Sequence, residues 1–269
     1  MASRQVPIAR TLYAALASVV PGGDALRVDF SSGSAETAKE NKPLIAVFPP
    51  RISRAGLLDI MGRVAEAAVA HCPELSEEVQ KALDVLSGVP ALWEGYLLDG
   101  DAKKQLKEAL RELANRRGVS LEITGFLLHH TFKPFMRYYA AKALKEQEAH
   151  FRDWGRGCCP VCGRFPSLSV IRGEEGRFLY CSLCETSWRF ARIGCPFCEN
   201  LSAGQQEILV LADTNYRIYV CSECRGYLKT FIQQSGSQEA LNPLLAEGET
   251  LHLDVIALQE GYVSRGIQL

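Results

Sequence analysis

The chain has 269 residues, 47% of them hydrophobic and 23% charged, so it is long enough for two domains and a sizeable core, and overall disorder is excluded. Its 30 Lys and Arg against 31 Asp and Glu leave a net charge of -1, which argues against a nucleic-acid coat or a polybasic membrane anchor. No apolar run reaches the roughly 20 residues of a membrane span.

Arg4 and Arg10 precede an apolar stretch over 12–20 that has the length of a signal-peptide core. Its alanine content, and the lack of a small-x-small cleavage site before Pro21, favour a first amphipathic helix instead. Residues 22–50, with Gly22, Gly23, Ser31, Ser32, Gly33 and Ser34, read as an irregular excursion. The next stretch, 53–70, spaces Leu57, Met61, Val64 and Ala68 three or four apart, with Ser53 as the N-cap. Ser76 is a candidate N-cap for another helix, in which Glu77 and Glu78 favour the first turn and Val79, Leu83 and Leu86 form the buried stripe. Leu106, Leu110 and Leu113 repeat the pattern within the charged run 101–117, and Gly118 looks like its stop. A further helix begins at Ser120 and extends to about Glu148, with a break or kink expected at Pro134.

Beyond Gly155 the period changes. Residues 169–172, 177–181, 187–190, 208–211 and 217–221 are short β-branched or aromatic runs between turn residues, the pattern of small antiparallel strands. The last stretch, 237–269, mixes apolar and acidic residues, and Leu251, Val255 and Leu258 suggest a short docking helix. The fold class read from this order is α+β and multidomain. An N-terminal all-α helical domain (1–154) precedes two tandem rubredoxin-like or zinc-ribbon four-cysteine modules of short antiparallel strands (155–194 and 195–236), and a C-terminal docking tail follows (237–269).

Nine of the ten cysteines lie between Cys158 and Cys224, and eight form Cys-x-x-Cys pairs: Cys159/Cys162, Cys181/Cys184, Cys195/Cys198 and Cys221/Cys224. Two intervening residues allow a tight turn to present both sulfurs to one metal ion, with turn amides dispersing their charge. Cysteines so spaced suit a reducing cytoplasm better than a disulfide framework. Four half-sites combine in three ways. The internal repeat Arg177-Phe-Leu-Tyr-Cys181-Ser-Leu-Cys184 and Arg217-Ile-Tyr-Val-Cys221-Ser-Glu-Cys224, each copy following a Cys-Pro-x-Cys knuckle, favours adjacent pairing. The first site is then Cys159, Cys162, Cys181 and Cys184, and the second Cys195, Cys198, Cys221 and Cys224. Four thiolates accept iron as readily as zinc, so the two implied metal ions are left open between them.

Trp188, Arg189, Arg217, Tyr227 and Lys229, beside the knuckles, are candidate partner-binding residues, because Arg and aromatic side chains dominate interface energetics. Cys158, Cys72, His129 and His130 read as structural. No Walker loop, GxGxxG, HExxH or GxSxG occurs, so no local signature nominates an active site.

The strings Gly157-Cys-Cys-Pro-Val-Cys162-Gly-Arg-Phe-Pro166, Tyr180-Cys-Ser-Leu-Cys184-Glu-Thr-Ser-Trp188, Cys195-Pro-Phe-Cys198 and Cys221-Ser-Glu-Cys224-Arg-Gly-Tyr227-Leu-Lys229 closely resemble the FdhE family of formate dehydrogenase accessory proteins. The resemblance is specific over about 155–232 and extends to Glu260-Gly-Tyr262. Over the helical half it is one of length and class. Glu199 stands where the family places a Gly, with Asn200 available for the unusual backbone conformation, and Cys158 is an addition. The resemblance implies a cytoplasmic, non-enzymatic assembly factor that binds the catalytic subunit of a molybdenum or tungsten formate dehydrogenase and carries rubredoxin-like metal sites. Self-association stays open, and neither nucleic acid nor a membrane span is expected. The competing readings are a zinc-ribbon nucleic-acid module and a rubredoxin-like redox carrier.

Overall fold

Apolar spacing builds the first half and buried strand pairing the second. The computed structural model describes residues 2–31, 41–89, 96–97, 101–152, 154–210, 214–234 and 241–266, so Ser32, Gly33 and Ser34 of the glycine-serine stretch, Leu211 and residues 237–240 and 267–269 of the tail lie outside the described residues. The chain divides into two compact units, one built mainly from residues 1–29 and 50–139 and the other from 30–49 and 140–268. Of the described residues, 30–31 and 41–49 group with the cysteine-rich unit.

The first unit holds α1 (Ala2–Ala17), α2 (Arg54–His71), α3 (Ser76–Gly88), α4 (Asp101–Arg117) and most of α5 (Leu121–Glu146). Ser53 caps α2 by accepting from the Gly56 N–H at 3.1 Å, and Leu57, Met61, Val64 and Ala68 are its buried face. Ser76 instead occupies the first helical position of α3 without a side-chain cap. Gly118, at φ 63°, ends α4. The expected break at Pro134 is corrected: α5 runs through it. A proline removes only one N–H from the ladder, and the flanking Phe132, Phe135, Met136 and Tyr139 are all buried, so packing holds the helix. The strands β1 (Leu26–Arg27) and β2 (Arg51–Ile52) form an antiparallel pair, so this unit is not made of helices alone.

In the second unit a seven-stranded sheet is formed by β3 (Leu168–Arg172), β4 (Gly176–Tyr180), β5 (Ser187–Phe190), β6 (Gln206–Val210), β7 (Tyr216–Cys221), β8 (Gly226–Gln233) and β9 (Val263–Ser264). The order is β5-β4-β3-β8-β7-β6, with β9 beside the start of β8. Strands β3, β4 and β5 are antiparallel neighbours, as are β6, β7 and β8. The two triplets are joined by a parallel pair, β3 with β8, in which Leu168 faces Lys229 and Arg172 faces Gln233. The tandem modules therefore share one sheet, and its pairing is not purely antiparallel. Strand β8, which short-run reading of the sequence misses, is buried from Gly226 to Phe231, so it lacks the in-out alternation that marks a half-exposed strand.

After α6 (Glu148–Arg152), the remaining helices are α7 (Pro243–Glu249) and α8 (Leu251–Gln259). The tail helix exists as expected, but its face is corrected. Leu253 and Ala257 pack with Ile218, Val220, Tyr227 and Tyr262, whereas Leu251, Val255 and Leu258 are exposed. The face is chosen by a buried ion pair. Lys229 Nζ lies 2.8 Å from the Asp254 carboxylate, with side chains 2% and 15% exposed, and the Tyr227 hydroxyl donates to the other Asp254 oxygen at 2.8 Å. Burial and that hydrogen bond push the Tyr227 phenol above its ordinary range.

Two outcomes are expected. Asp254→Ala strands a buried ammonium and lowers unfolding stability by about 3–5 kcal/mol, while the apolar double change Lys229→Met with Asp254→Leu costs less; chemical denaturation of the three proteins checks this order. In the helical unit, burial first and the Lys133 charge second push His130 down to about 3, against a usual value near 6.5. Its neutral ring is compatible with full stability above about pH 6.5, and stability is lost as pH falls toward 3 because the unfolded chain binds the proton. Moving from pH 7 to pH 5 costs about 2 kcal/mol through this residue. Denaturation of His130→Gln at both pH values should show a pH loss smaller by that amount.

Candidate metal centres

Each Cys-x-x-Cys segment closes the same local turn. The residue after the second cysteine is left-handed in all four: Gly163 at φ 73°, Glu185 at 59°, Glu199 at 56° and Arg225 at 57°. In three of them that residue's N–H donates to the carbonyl of the first cysteine, from Gly163 to Cys159 at 2.9 Å, Glu185 to Cys181 at 3.0 Å and Arg225 to Cys221 at 2.9 Å. A left-handed non-glycine residue costs about 1–2 kcal/mol, so the turn is held against a local preference. The assignment of this conformation to Asn200 is corrected, since Glu199 itself adopts it. Its carboxylate accepts from the Gly157 N–H at 3.0 Å and lies 3.5 Å from Arg156 Nε.

The turns gather the eight sulfurs into two groups, Cys159, Cys162, Cys181 and Cys184, and Cys195, Cys198, Cys221 and Cys224, with the sulfurs of each group all within 4.8 Å of one another. Contacts across the knuckles are 3.5 Å (Cys159 to Cys184), 3.4 Å (Cys162 to Cys181), 3.6 Å (Cys195 to Cys224) and 3.8 Å (Cys198 to Cys221). These are far longer than the roughly 2.05 Å of a disulfide. Sulfurs held at about 2.3 Å around a central ion form a tetrahedron with edges of about 3.8 Å, so both groups fit such an ion and can hold one. Cys72 and Cys158 stand outside both groups.

The electrostatics of crowded thiols point the same way. Burial pushes the Cys159 and Cys184 thiols well up, while hydrogen bonds from Cys159, Cys162 and Cys184 hold Cys181 well down. Burial likewise raises Cys195 and Cys224. At Cys221 burial acts upward too, but the backbone N–H groups of Cys224 and Glu223 and the neighbouring sulfurs bring it down overall. Four thiolates gathered this closely need a cation, and a soft divalent ion answers that need. The Gln206 side-chain amide adds a donor 3.6 Å from Cys221 Sγ, and the Thr186 hydroxyl lies 3.2 Å from Cys184 Sγ. Neither was nominated by the sequence, because neither belongs to the cysteine spacing.

The groups are tied together by contacts the spacing does not reveal. Arg177, 1% exposed on β4, donates to the Ser169 hydroxyl at 3.2 Å and to the Gly194 carbonyl at 3.0 Å, one residue before Cys195. Its guanidinium also sits 4.8 Å from the Tyr219 ring centroid on β7, and burial lowers it to about 10. Phe165 meets Phe197 edge-on, centroids 5.5 Å apart.

Three of the five candidate partner residues lie buried within the chain. Trp188 is 4% exposed and donates to the Arg156 carbonyl at 3.1 Å, and Tyr227 and Lys229 are 4% and 2% exposed in the Asp254 network. Arg189 is exposed and Arg217 half-buried, the latter donating to the Thr214 and Tyr216 carbonyls.

A methyl group on Gly157 would lie 1.9 Å from the Pro196 carbonyl oxygen, inside the second group's first knuckle. Gly157→Ala is therefore expected to cost about 1–3 kcal/mol and to lower ion content at the second group more than at the first, as read by chemical denaturation and metal analysis.

Comparison with known proteins agrees with this arrangement. The family model of the FdhE central domain matches residues 158–192. The Protein FdhE homolog of Aquifex aeolicus (strain VF5) is 29% identical over 151 residues, covering 54% of this chain and 51% of its own length. That of Shewanella baltica (strain OS223) is 38% identical over 105 residues, covering 36% of this chain and 32% of its own. The match thus spans about half of the Aquifex protein. The crystal structure of the FdhE protein from Pseudomonas aeruginosa aligns with 98% of this chain and 86% of that one, with a TM-score of 0.60 and 19% identity, which is a likeness of fold. The cysteine strings and the central-domain match over residues 158–192 thus make this part of the chain similar to the FdhE proteins, and the fold is shared with one of them.

Proposed function

We propose that the chain is a metal-binding accessory protein for assembly or maturation of a molybdenum- or tungsten-dependent formate dehydrogenase, acting by binding the catalytic subunit and not as an enzyme. The observation that carries this reading is the pair of four-sulfur groups fused through one sheet, supported by the likeness of residues 158–192 to the FdhE central domain. Iron and zinc both suit the eight ligands Cys159, Cys162, Cys181, Cys184, Cys195, Cys198, Cys221 and Cys224. A bound ion supplies a crosslink between two knuckles and neutralises thiolate charge. The residues do the rest: backbone N–H groups of Phe197 and Cys198 donate toward Cys195 and those of Glu223 and Cys224 toward Cys221, and Arg177 holds the approach to Cys195. Exposed Arg189 and half-buried Arg217 are the proposed client contacts.

Segments 155–194 and 195–236 serve in this reading as the two metal modules, with 237–269 closing the sheet and 1–154 as the helical partner. The cytoplasm is the proposed site of action; no helix among the described residues is long and apolar enough to cross a membrane.

The test is an oxygen-free pull-down of the tagged full chain from its native host, beside Cys181→Ala/Cys184→Ala, with polypeptides identified and metals counted in the same eluates. The expected result is a formate dehydrogenase catalytic subunit with the metal-loaded chain, reduced at least tenfold with the variant. Recovery of nucleic acid or an unrelated enzyme in its place overturns the reading.

A further inference from the structure

The two sulfur groups are built alike but placed differently. In the first, all four cysteines are buried, at 0%, 8%, 3% and 2% exposure in chain order. Its first knuckle is roofed by a separate piece of chain: the N–H groups of Leu44 and Ile45, in the single helical turn Leu44–Val47, donate to the carbonyls of Pro160 and Val161 at 2.8 and 2.9 Å. Pro43 packs where a Gly163 side chain would be, 3.0 Å from an added methyl. His150 Nε2 lies 3.3 Å from the Pro160 carbonyl, and the Trp154 indole donates to the Cys158 carbonyl at 2.8 Å. In the second group Cys195 and Cys221 are buried, but Cys198 is exposed and Cys224 partly exposed. On its buried side the Gln206 amide lies 3.6 Å from Cys221 Sγ, and Pro196, next to Cys195, lies against Gly157.

We infer that the second group is an exchange site, which takes up and releases its ion through the exposed Cys198 and then the partly exposed Cys224, while the first group retains its ion. This rests on the reading of both groups as metal centres. Ligand exchange at a thiolate site needs room for an incoming donor beside a departing one. Cys159, Cys162, Cys181 and Cys184 offer no such room without displacing the Leu44–Val47 roof. At the second group an incoming thiol or chelator reaches the Cys198 side from solvent. One metal–sulfur bond is replaced by a bond to the incoming donor. When that donor is a thiol, its proton passes to the released cysteine, and the oxidation state of the ion is unchanged. Cys224 is the next to exchange. Cys195 and Cys221, the buried pair, with Gln206 beside Cys221, leave last.

The experiment loads the full chain with zinc under oxygen-free conditions, counts the ions, and follows their release to excess 4-(2-pyridylazo)resorcinol. Two ions per chain should leave in two phases, one equivalent at least tenfold faster than the other. In a parallel sample of the same wild-type protein, iodoacetamide added after the first equivalent has left should label Cys198 and Cys224 before Cys159, Cys162, Cys181 or Cys184, as located by peptide mass spectrometry. Release of both equivalents at one rate, or first labelling at the Cys159 group, overturns the inference and leaves the metal reading intact. Fewer than two ions per chain overturns both. Labelling is read on the wild type, so neither outcome depends on a cysteine variant folding.

Discussion

Four sulfur atoms brought within a few ångströms of one another in a dry environment are the constraint on which the cysteine-rich half rests. Burial disfavours the thiolate form, and crowding makes each further thiolate harder to form. A cation at the centre reverses both effects, so metal binding and folding become one equilibrium. The knuckles show the cost of reaching that arrangement: three non-glycine residues, Glu185, Glu199 and Arg225, hold a left-handed backbone so that both sulfurs of each pair face inward. Where such strain persists, surrounding contacts must over-determine it. Glu199 supplies its own through Arg156 and Gly157.

A second level of organisation lies in how the repeats meet. Each contributes three antiparallel strands, and the seam is the parallel pair of β3 with β8. Strands at a seam are buried on both faces, and both here are: β3 from Leu168 to Ile171 and β8 from Gly226 to Phe231. The seam also explains the buried polar groups. Ser169 and Thr230 hydroxyls meet across it at 2.7 Å, and Arg177 reaches Ser169 from the next strand. Polar groups so placed must find partners inside the protein, and these connect the first repeat to the Gly194 carbonyl at the entrance to the second.

What was legible in the sequence follows from the range of the interactions involved. The cysteine pairing could be read from an internal repeat because each group is made of two local turns on neighbouring hairpin strands. Helices α2 and α4 were legible from apolar spacing, and Gly118 from its role as a stop. Strand β8 was not, because a fully buried strand has no period, and its Tyr227 and Lys229 read as surface residues until Asp254 is found beside them. The roof at Leu44–Val47 was also hidden. Its contact is backbone N–H to backbone carbonyl over more than a hundred residues of sequence, and side-chain identity carries no trace of such a bond. The exposed face of α8 shows the same limit: spacing identifies a helix, but the ion pair beneath it decides which way it turns.

The parallel seam imposes an order in time. As a chain is made from its N-terminus, every sulfur of the first group is present once residue 184 has emerged, and β3, β4 and β5 can pair soon after. The inner edge of β3 then stays open until residues 226–233 arrive, because only β8 pairs with it there. Such distant pairing is the slow part of folding, and an unpaired strand edge in the interval is a surface on which other chains can pair. A nascent chain of this design therefore passes through a stage with one complete sulfur cluster and half a sheet, and it leaves that stage only when the second repeat has been synthesised to its last strand.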